Sequence, residues 1–318
     1  MRMVMRVLVT GITGQLGHDV MCELARRGYE AVGSARRMPE DLPKAVIPLE
    51  LKTPAPGFVK LDLEDELAVK REISLLRPDA IIHCAAWTAV DAAEEPENRE
   101  AVYGANVLAT RYLAEAAKDI GAKMVYISTD YVFDGQGTRS WQPDDKYYAP
   151  LNVYGQSKLD GELEVAGILE KYFIVRTAWV FGKNGKNFVR TMLNVGKSHD
   201  TVRVVNDQIG TPTYTPDLAR LLVDMIETEK YGYYHATNRE EEPGAYISWY
   251  DFTKEIYRQA GLKTKVIPVT TAEYGLSKAK RPYNSRLDKS KLGENGFALL
   301  PAWKDALHRY LTEIGELE

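Results

Sequence analysis

The chain has 318 residues, 45% hydrophobic and 27% charged, with a formal net charge of −4. That length can bury one large core or two modest ones, and the mild acidity argues against a nucleic-acid binder, which is normally basic. No apolar run approaches the ~18 residues of a membrane span.

The start, Met1-Arg2-Met3-Val4-Met5-Arg6, lacks the apolar segment and cleavage site of a signal peptide and reads as a lead into the first strand. Arg6-Val7-Leu8-Val9-Thr10 is a short apolar run stopped by Gly11, the pattern of a buried parallel strand. A helix is expected from about Gln15 to Gly28 and a second strand at 31–34, which completes a βαβ unit. Further short apolar runs recur at 58–61, 80–84, 124–128 and 173–176 with helical stretches between them. This alternation predicts an α/β, Rossmann-like doubly wound parallel sheet. The proline-rich stretch 39–57 reads as a surface excursion. Beyond Ala178 prolines punctuate short segments, with helices expected at 216–229 and 249–260. The expected division is a dinucleotide-binding domain of residues 1–178 plus about 213–237, and a smaller, discontinuous substrate-binding domain of about 179–212 and 238–318. Cys22 and Cys84 lack metal-ligand spacing and read as reduced core thiols of a cytoplasmic protein.

Two motifs carry chemistry. Gly11-Ile12-Thr13-Gly14-Gln15-Leu16-Gly17, after a strand and opening a helix, suits a tight turn that lets a backbone approach a pyrophosphate. The helix N-terminus adds unpaired N–H groups and a positive dipole end. After the second strand stand Ser34, Arg36 and Arg37, without the carboxylate that takes a ribose 2′-hydroxyl, so NADPH is expected, with NADH as the alternative. Asp62 and Leu63, after the next strand, are placed at the adenine; Asp62 also suits a helix cap. The second motif is Tyr154-Gly155-Gln156-Ser157-Lys158, which puts a phenol and an ammonium on one helical face. A cation there should lower the phenol's pKa from ~10 for acid–base work. His83 is expected to be a packed strand residue, His199 a surface one, and Asp91, Glu94, Glu95 and Glu97 a solvated helix start.

Five stretches carry a family resemblance: 84–91 (Cys-Ala-Ala-Trp-Thr-Ala-Val-Asp), 128–135 (Ser-Thr-Asp-Tyr-Val-Phe-Asp-Gly), 176–182 (Arg-Thr-Ala-Trp-Val-Phe-Gly), 206–213 (Asn-Asp-Gln-Ile-Gly-Thr-Pro-Thr) and 281–288 (Arg-Pro-Tyr-Asn-Ser-Arg-Leu-Asp). With the glycine loop they resemble the dTDP-4-dehydrorhamnose reductases, extended short-chain dehydrogenases/reductases, over most of the chain. The resemblance implies that Thr129, Tyr154 and Lys158 are catalytic, and that Ala85, Ala86 and Trp87 line the cofactor with Asn106 supporting them. Thr88, Val90, Asp130 and Trp179 would join Thr129 and Tyr154 in contacting a dTDP-sugar. It also implies reduction of a C4 ketone with NADPH in dTDP-rhamnose synthesis. Some members form dimers with a divalent ion held by carboxylates, and Asp19 lies where one such carboxylate would stand. Because a helix-start aspartate needs no metal, no catalytic metal is expected, and the assembly is expected to be a monomer or homodimer.

Two other readings compete with this one. A dehydratase of the superfamily would carry Asp then Glu after the strand-end threonine, whereas here Asp130 is followed by Tyr131; C4 epimerisation is harder to separate. The second is a non-catalytic, NADP-binding regulatory subunit similar to the β-subunit of methionine adenosyltransferase. Such a protein need not retain Thr129, Tyr154 and Lys158 together.

Overall fold

The computed structural model describes residues 4–36 and 57–317. Arg37 and the proline-rich stretch up to residue 56 lie outside the described residues.

The first half alternates strand and helix: β1 (Arg6–Thr10), α1 (Gln15–Arg26), β2 (Glu30–Ala35), β3 (Gly57–Lys60), α2 (Glu66–Leu76) and β4 (Ala80–His83). Next come α3 (Arg99–Tyr103), a π-helical turn (Gly104–Leu108), α4 (Ala109–Ile120), β5 (Lys123–Thr129), α5 (Val153–Ile168) and β6 (Tyr172–Thr177). The second half holds β7 (Val180–Phe181), α6 (Phe188–Ser198), β8 (Thr201–Val205), β9 (Ile209–Gly210), β10 (Thr213–Tyr214), α7 (Thr215–Ile226) and β11 (Gly232–His235). It ends with β12 (Ile247–Ser248), α8 (Trp249–Gln259), β13 (Lys265–Val269), α9 (Thr271–Tyr274), α10 (Ser290–Glu294) and α11 (Trp303–Glu313).

Seven parallel strands form the main sheet in the order β11-β6-β5-β4-β1-β2-β3. The chain reverses direction across the sheet between β1 and β4, so a crevice opens at their C-terminal ends, where ligands bind in open α/β sheets. Strand period 2 explains the layering. Val7 and Val9 of β1 pack with Val20 and Leu24 of α1 and Leu218 and Leu222 of α7. Leu8 faces the opposite side, with Val69 and Ile73 of α2 and Leu113 and Ala117 of α4. A third core, outside the sheet, joins Phe181, Leu193, Tyr214, Phe252, Ile256, Trp303 and Leu307.

Buried charge ties α5 to the sheet. Arg176 of β6 and Glu162 of α5, both fully buried, form a bidentate pair at 2.8 and 2.7 Å. Arg176 also donates to the Pro143 carbonyl and the Tyr148 hydroxyl, and its guanidinium lies 4.9 Å from the Phe133 ring centre. The helix that carries Tyr154 and Lys158 is thereby fixed against β6.

Candidate active site

The glycine loop turns where the sequence placed it. Gly11 has φ 69°, and a Cβ there would sit 2.6 Å from the Ala85 nitrogen. A Cβ on Gly17 would lie 2.3 Å from the Gly11 carbonyl oxygen. Only glycine permits this approach of α1 to the β1 end. The ends of β1 and β4 are cross-braced, because the Thr10 hydroxyl meets His83 Nδ1 at 2.7 Å and accepts from the Ala85 N–H at 3.1 Å. His83 is a buried strand residue, as expected, and burial lowers its pKa to about 3. His199 is exposed.

Helix α5 is held at its start from two sides. The Asn152 side chain accepts from the Gly155 N–H at 2.7 Å and donates to the Lys280 carbonyl at 2.8 Å. The Glu94 carboxylate accepts from the Val153 N–H at 2.8 Å. Asp91 pairs with Arg281 at 2.7 Å, and Glu95 pairs with Lys278. The acidic cluster is therefore a clamp on α5 and on segment 278–281, not merely a solvated helix start.

One cleft of about 680 Å³ runs along the strand ends. Gly11, Gly14, Gln15, Leu16, Gly17, Arg36, Asp62 and Leu63 line one part of it, and Ala85, Ala86, Thr88 and Val90 line its middle. Thr129, Asp130, Tyr154, Lys158 and Trp179 line the remainder. Two expected site residues are not on its wall. The Trp87 indole N–H donates to the Ala89 carbonyl, two residues on, at 3.1 Å. Asn106, in the π-helical turn, sits behind the wall, accepting from the Trp87 N–H at 2.8 Å and donating to the Trp87 carbonyl and the Ser157 hydroxyl. Asn106 thus couples the loop after β4 to α5; π-turns concentrate at functional sites. Asp62 is not a helix cap: Asp65 caps α2 by accepting from the Ala68 N–H. Asp62 instead accepts from the Glu64 N–H.

The electrostatics correct one expectation. Burial pushes the Tyr154 phenol above the ordinary tyrosine range and the Asp130 carboxylate adds to this, while the Thr129 hydroxyl opposes it. Burial lowers Lys158 to about 7, against an upward pull from Glu162. Its ammonium lies 4.0 Å from the Tyr126 ring centre. A lysine only partly protonated at neutral pH exerts a weak field, so it does not depress the tyrosine as the Tyr-Lys spacing suggested.

Trp179 is the described non-glycine residue with the larger positive φ, 53°. For a bulky side chain this backbone costs about 1–3 kcal/mol and persists only where surroundings enforce it. Its ring stacks on Trp249 at 3.8 Å and 20°, and both rings line the cleft.

Cys84 lines the cleft beside the core, and burial pushes its thiol up to about 12. Cys22 has a ligand-type neighbour that the cysteine spacing did not reveal. His18, one helical turn earlier, Asp19 and Cys22 place their ligand-type atoms within 4.8 Å of one another. Asp19 is buried; its carboxylate bonds His18 Nδ1 at 3.1 Å and accepts from the Thr215 hydroxyl. That bond to Asp19 is the main cause raising His18 to about 10.

Residues 5–315 match the family model described as RmlD substrate binding domain. A dTDP-4-dehydrorhamnose reductase from Aggregatibacter actinomycetemcomitans is 38% identical over 95% of this chain and 97% of its own length. The chain belongs to the dTDP-4-dehydrorhamnose reductase family. It is, by that membership, an NAD(P)-dependent oxidoreductase. The spore coat polysaccharide biosynthesis protein SpsK of Bacillus subtilis is 36% identical over 97% of both chains. The crystal structure of the Bacillus anthracis dTDP-4-dehydrorhamnose reductase in complex with NADP is 38% identical, covers 98% of this chain and 100% of that one, and superposes with a TM-score of 0.82. A Thermus thermophilus UDP-glucose 4-epimerase, 20% identical with a TM-score of 0.76, shares the fold alone.

Sequence reasoning missed several cleft residues of this family member. Trp249 opens α8 behind a capping box of Ser248 and Asp251, a signal for a helix start but not for a cleft wall. Asn184 and Lys186 line the cleft from the β7–α6 connection, with Asn184 Nδ2 donating to the Thr13 carbonyl at 3.3 Å. Behind the wall, Ser285, in a motif used only for the resemblance, donates to the cleft residue Asp130.

Proposed function

We propose that this chain reduces the C4 ketone of dTDP-4-dehydro-L-rhamnose to dTDP-L-rhamnose with NADPH, within dTDP-rhamnose synthesis. The observation that carries the reading is that Thr129, Tyr154 and Lys158 line the same cleft as the glycine loop. The cleft also fits a dinucleotide in its details. Its loop is a cradle that a Cβ would fill, and Ser128 Oγ, 3% exposed, lines it with no partner within the described residues.

When bound, NADPH supplies a hydride to the ketone carbon. Tyr154 then gives its phenolic proton to the carbonyl oxygen, so that C=O becomes CH–OH, and solvent reprotonates the phenolate. Thr129 adds a hydrogen bond at the same oxygen. Lys158 would hold the nicotinamide ribose from the same face of α5 as Tyr154. Trp179 and Trp249 offer an aromatic wall to the sugar nucleotide, and Asp62 and Leu63 would border the adenine.

A Streptomyces niveus dTDP-4-keto-6-deoxy-D-glucose reductase is 32% identical over 95% of both chains, so the choice of keto sugar needs a direct comparison. Turnover of dTDP-4-dehydro-L-rhamnose with a kcat/KM well above that for dTDP-4-keto-6-deoxy-D-glucose supports the reading; the reverse order replaces the substrate but keeps the reaction.

Arg36, exposed on the cleft wall beyond β2, is assigned to the 2′-phosphate. Arg36→Ala should raise KM for NADPH by roughly 10-fold, the worth of one charge-assisted hydrogen bond, and leave KM for NADH unmoved. Equal effects on both cofactors would remove Arg36 from that role.

A further inference from the structure

The Thr129 hydroxyl has one proton to give, and the structure shows where it goes. Thr129 Oγ1 donates to Asp130 Oδ1 at 3.0 Å and accepts from the Tyr131 N–H at 3.2 Å. The Ser285 hydroxyl donates to the other oxygen, Asp130 Oδ2. Asp130 is 1% exposed. Thr129 and Tyr154 line the same cleft. While Asp130 is ionised it can only accept, so it takes the Thr129 proton, and Thr129 turns a lone pair towards the cleft. A neutral Asp130 inverts the chain: its O–H donates to Thr129, Thr129 still accepts from Tyr131, and its own proton turns into the cleft that Tyr154 and the reacting oxygen share. Asp130 Oδ2 goes on accepting from Ser285 in both states.

We propose that Asp130 is a positioning residue whose protonation sets the direction in which the Thr129 hydroxyl donates, with the neutral acid as the state that serves ketone reduction. This rests on the catalytic assignment of Thr129 and Tyr154 above. The surroundings favour such a switch. Burial raises Asp130 to about 6, against the opposing hydrogen bonds from Ser285 and Thr129. The titratable groups facing it are Tyr154 from α5 and Tyr131 from the turn after β5. Arg281, from the segment that carries Ser285, ends on the Tyr131 hydroxyl at 3.2 Å. Asp130 therefore has no cation of its own holding it ionised among the described residues that bond it.

The test follows the Tyr154 ring by NMR in the full-length protein carrying ¹³C at the tyrosine Cζ, assigned by loss of the signal in Tyr154→Phe. The wild-type resonance should inflect as Asp130 titrates. The inflection should vanish in Asp130→Asn, vanish in Thr129→Val, and move to higher pH in Ser285→Ala, because that variant removes a donor that favours the carboxylate. Persistence in Thr129→Val would mean that Asp130 acts through space rather than through the hydroxyl, and would overturn the proposal. Persistence in Asp130→Asn would assign the titration to another group and do the same. The activity readout separates this inference from the reading beneath it. Wild-type kcat should fall as pH rises through the Asp130 titration, with the limb lost in Asp130→Asn and displaced upward in Ser285→Ala. Turnover with an unmoved limb refutes the switch, whereas an NMR switch without ketone reduction refutes the catalytic reading.

Discussion

Tyr154→Phe lowers kcat for ketone reduction by ~10²-fold or more, the usual contribution of a positioned general acid. NADPH affinity stays intact, because Phe keeps the edge-to-face contact with Tyr131, whose ring centre is 5.6 Å away at 78°. The split between kcat and binding is the informative readout, measured by steady-state oxidation of NADPH and by cofactor titration. The raised phenol pKa keeps the tyrosine protonated over the working pH range, which suits a donor in the reductive direction. A variant that loses cofactor affinity and rate together would show that Tyr154 shapes the site rather than supplying the proton.

Glu162→Gln is the second large effect, and it acts on stability. The carboxylate it removes is the partner of a fully buried guanidinium, and breaking such a pair typically costs about 3–5 kcal/mol because the remaining charge stays buried. Urea unfolding should show that loss. Replacing both partners with apolar residues should cost less than the single change. Glu162 also lies one turn beyond Lys158 and pulls that lysine's pKa upward, so Glu162→Gln should lower the fraction of Lys158 that is protonated at neutral pH. A loss below about 1 kcal/mol, typical of an exposed pair, would contradict this account of α5 anchoring.

What could be read from the chain alone tracks how local the signal is. Val7, Leu8 and Val9 before Gly11 mark β1, and the three glycines mark the turn, because both depend on neighbours within a few residues. Each expected strand of the first half is present, β3 at 57–60 and β6 at 172–177 among them. The strands that escaped are those whose partners lie far off. β11 pairs with β6, and β8 pairs in parallel with β13 across more than fifty intervening residues; neither has a turn signature of its own. Asp62 also suits a cap by its sequence, but Asp65, three residues on, offers the same chemistry and takes that place. In the site, the glycine loop and the Tyr154–Lys158 pair were legible from spacing, and Thr129 and Trp179 through resemblance. The Ser285–Asp130 bond joins residues 155 positions apart, and the Trp179–Trp249 stack depends on a left-handed backbone at Trp179. Neither spacing nor periodicity encodes such contacts. The pKa values were the least legible, because burial dominates them and the sequence motif showed only the neighbouring charge.

The most direct test of the central claim is label transfer. The enzyme is incubated with NADPH carrying deuterium at nicotinamide C4, as each stereoisomer in turn, and enzymatically generated dTDP-4-dehydro-L-rhamnose. The sugar nucleotide is then examined by NMR. One stereoisomer should deliver deuterium to sugar C4 of dTDP-L-rhamnose, and the other should leave hydrogen there. Tight NADPH binding with no label in the sugar would contradict reduction in this cleft.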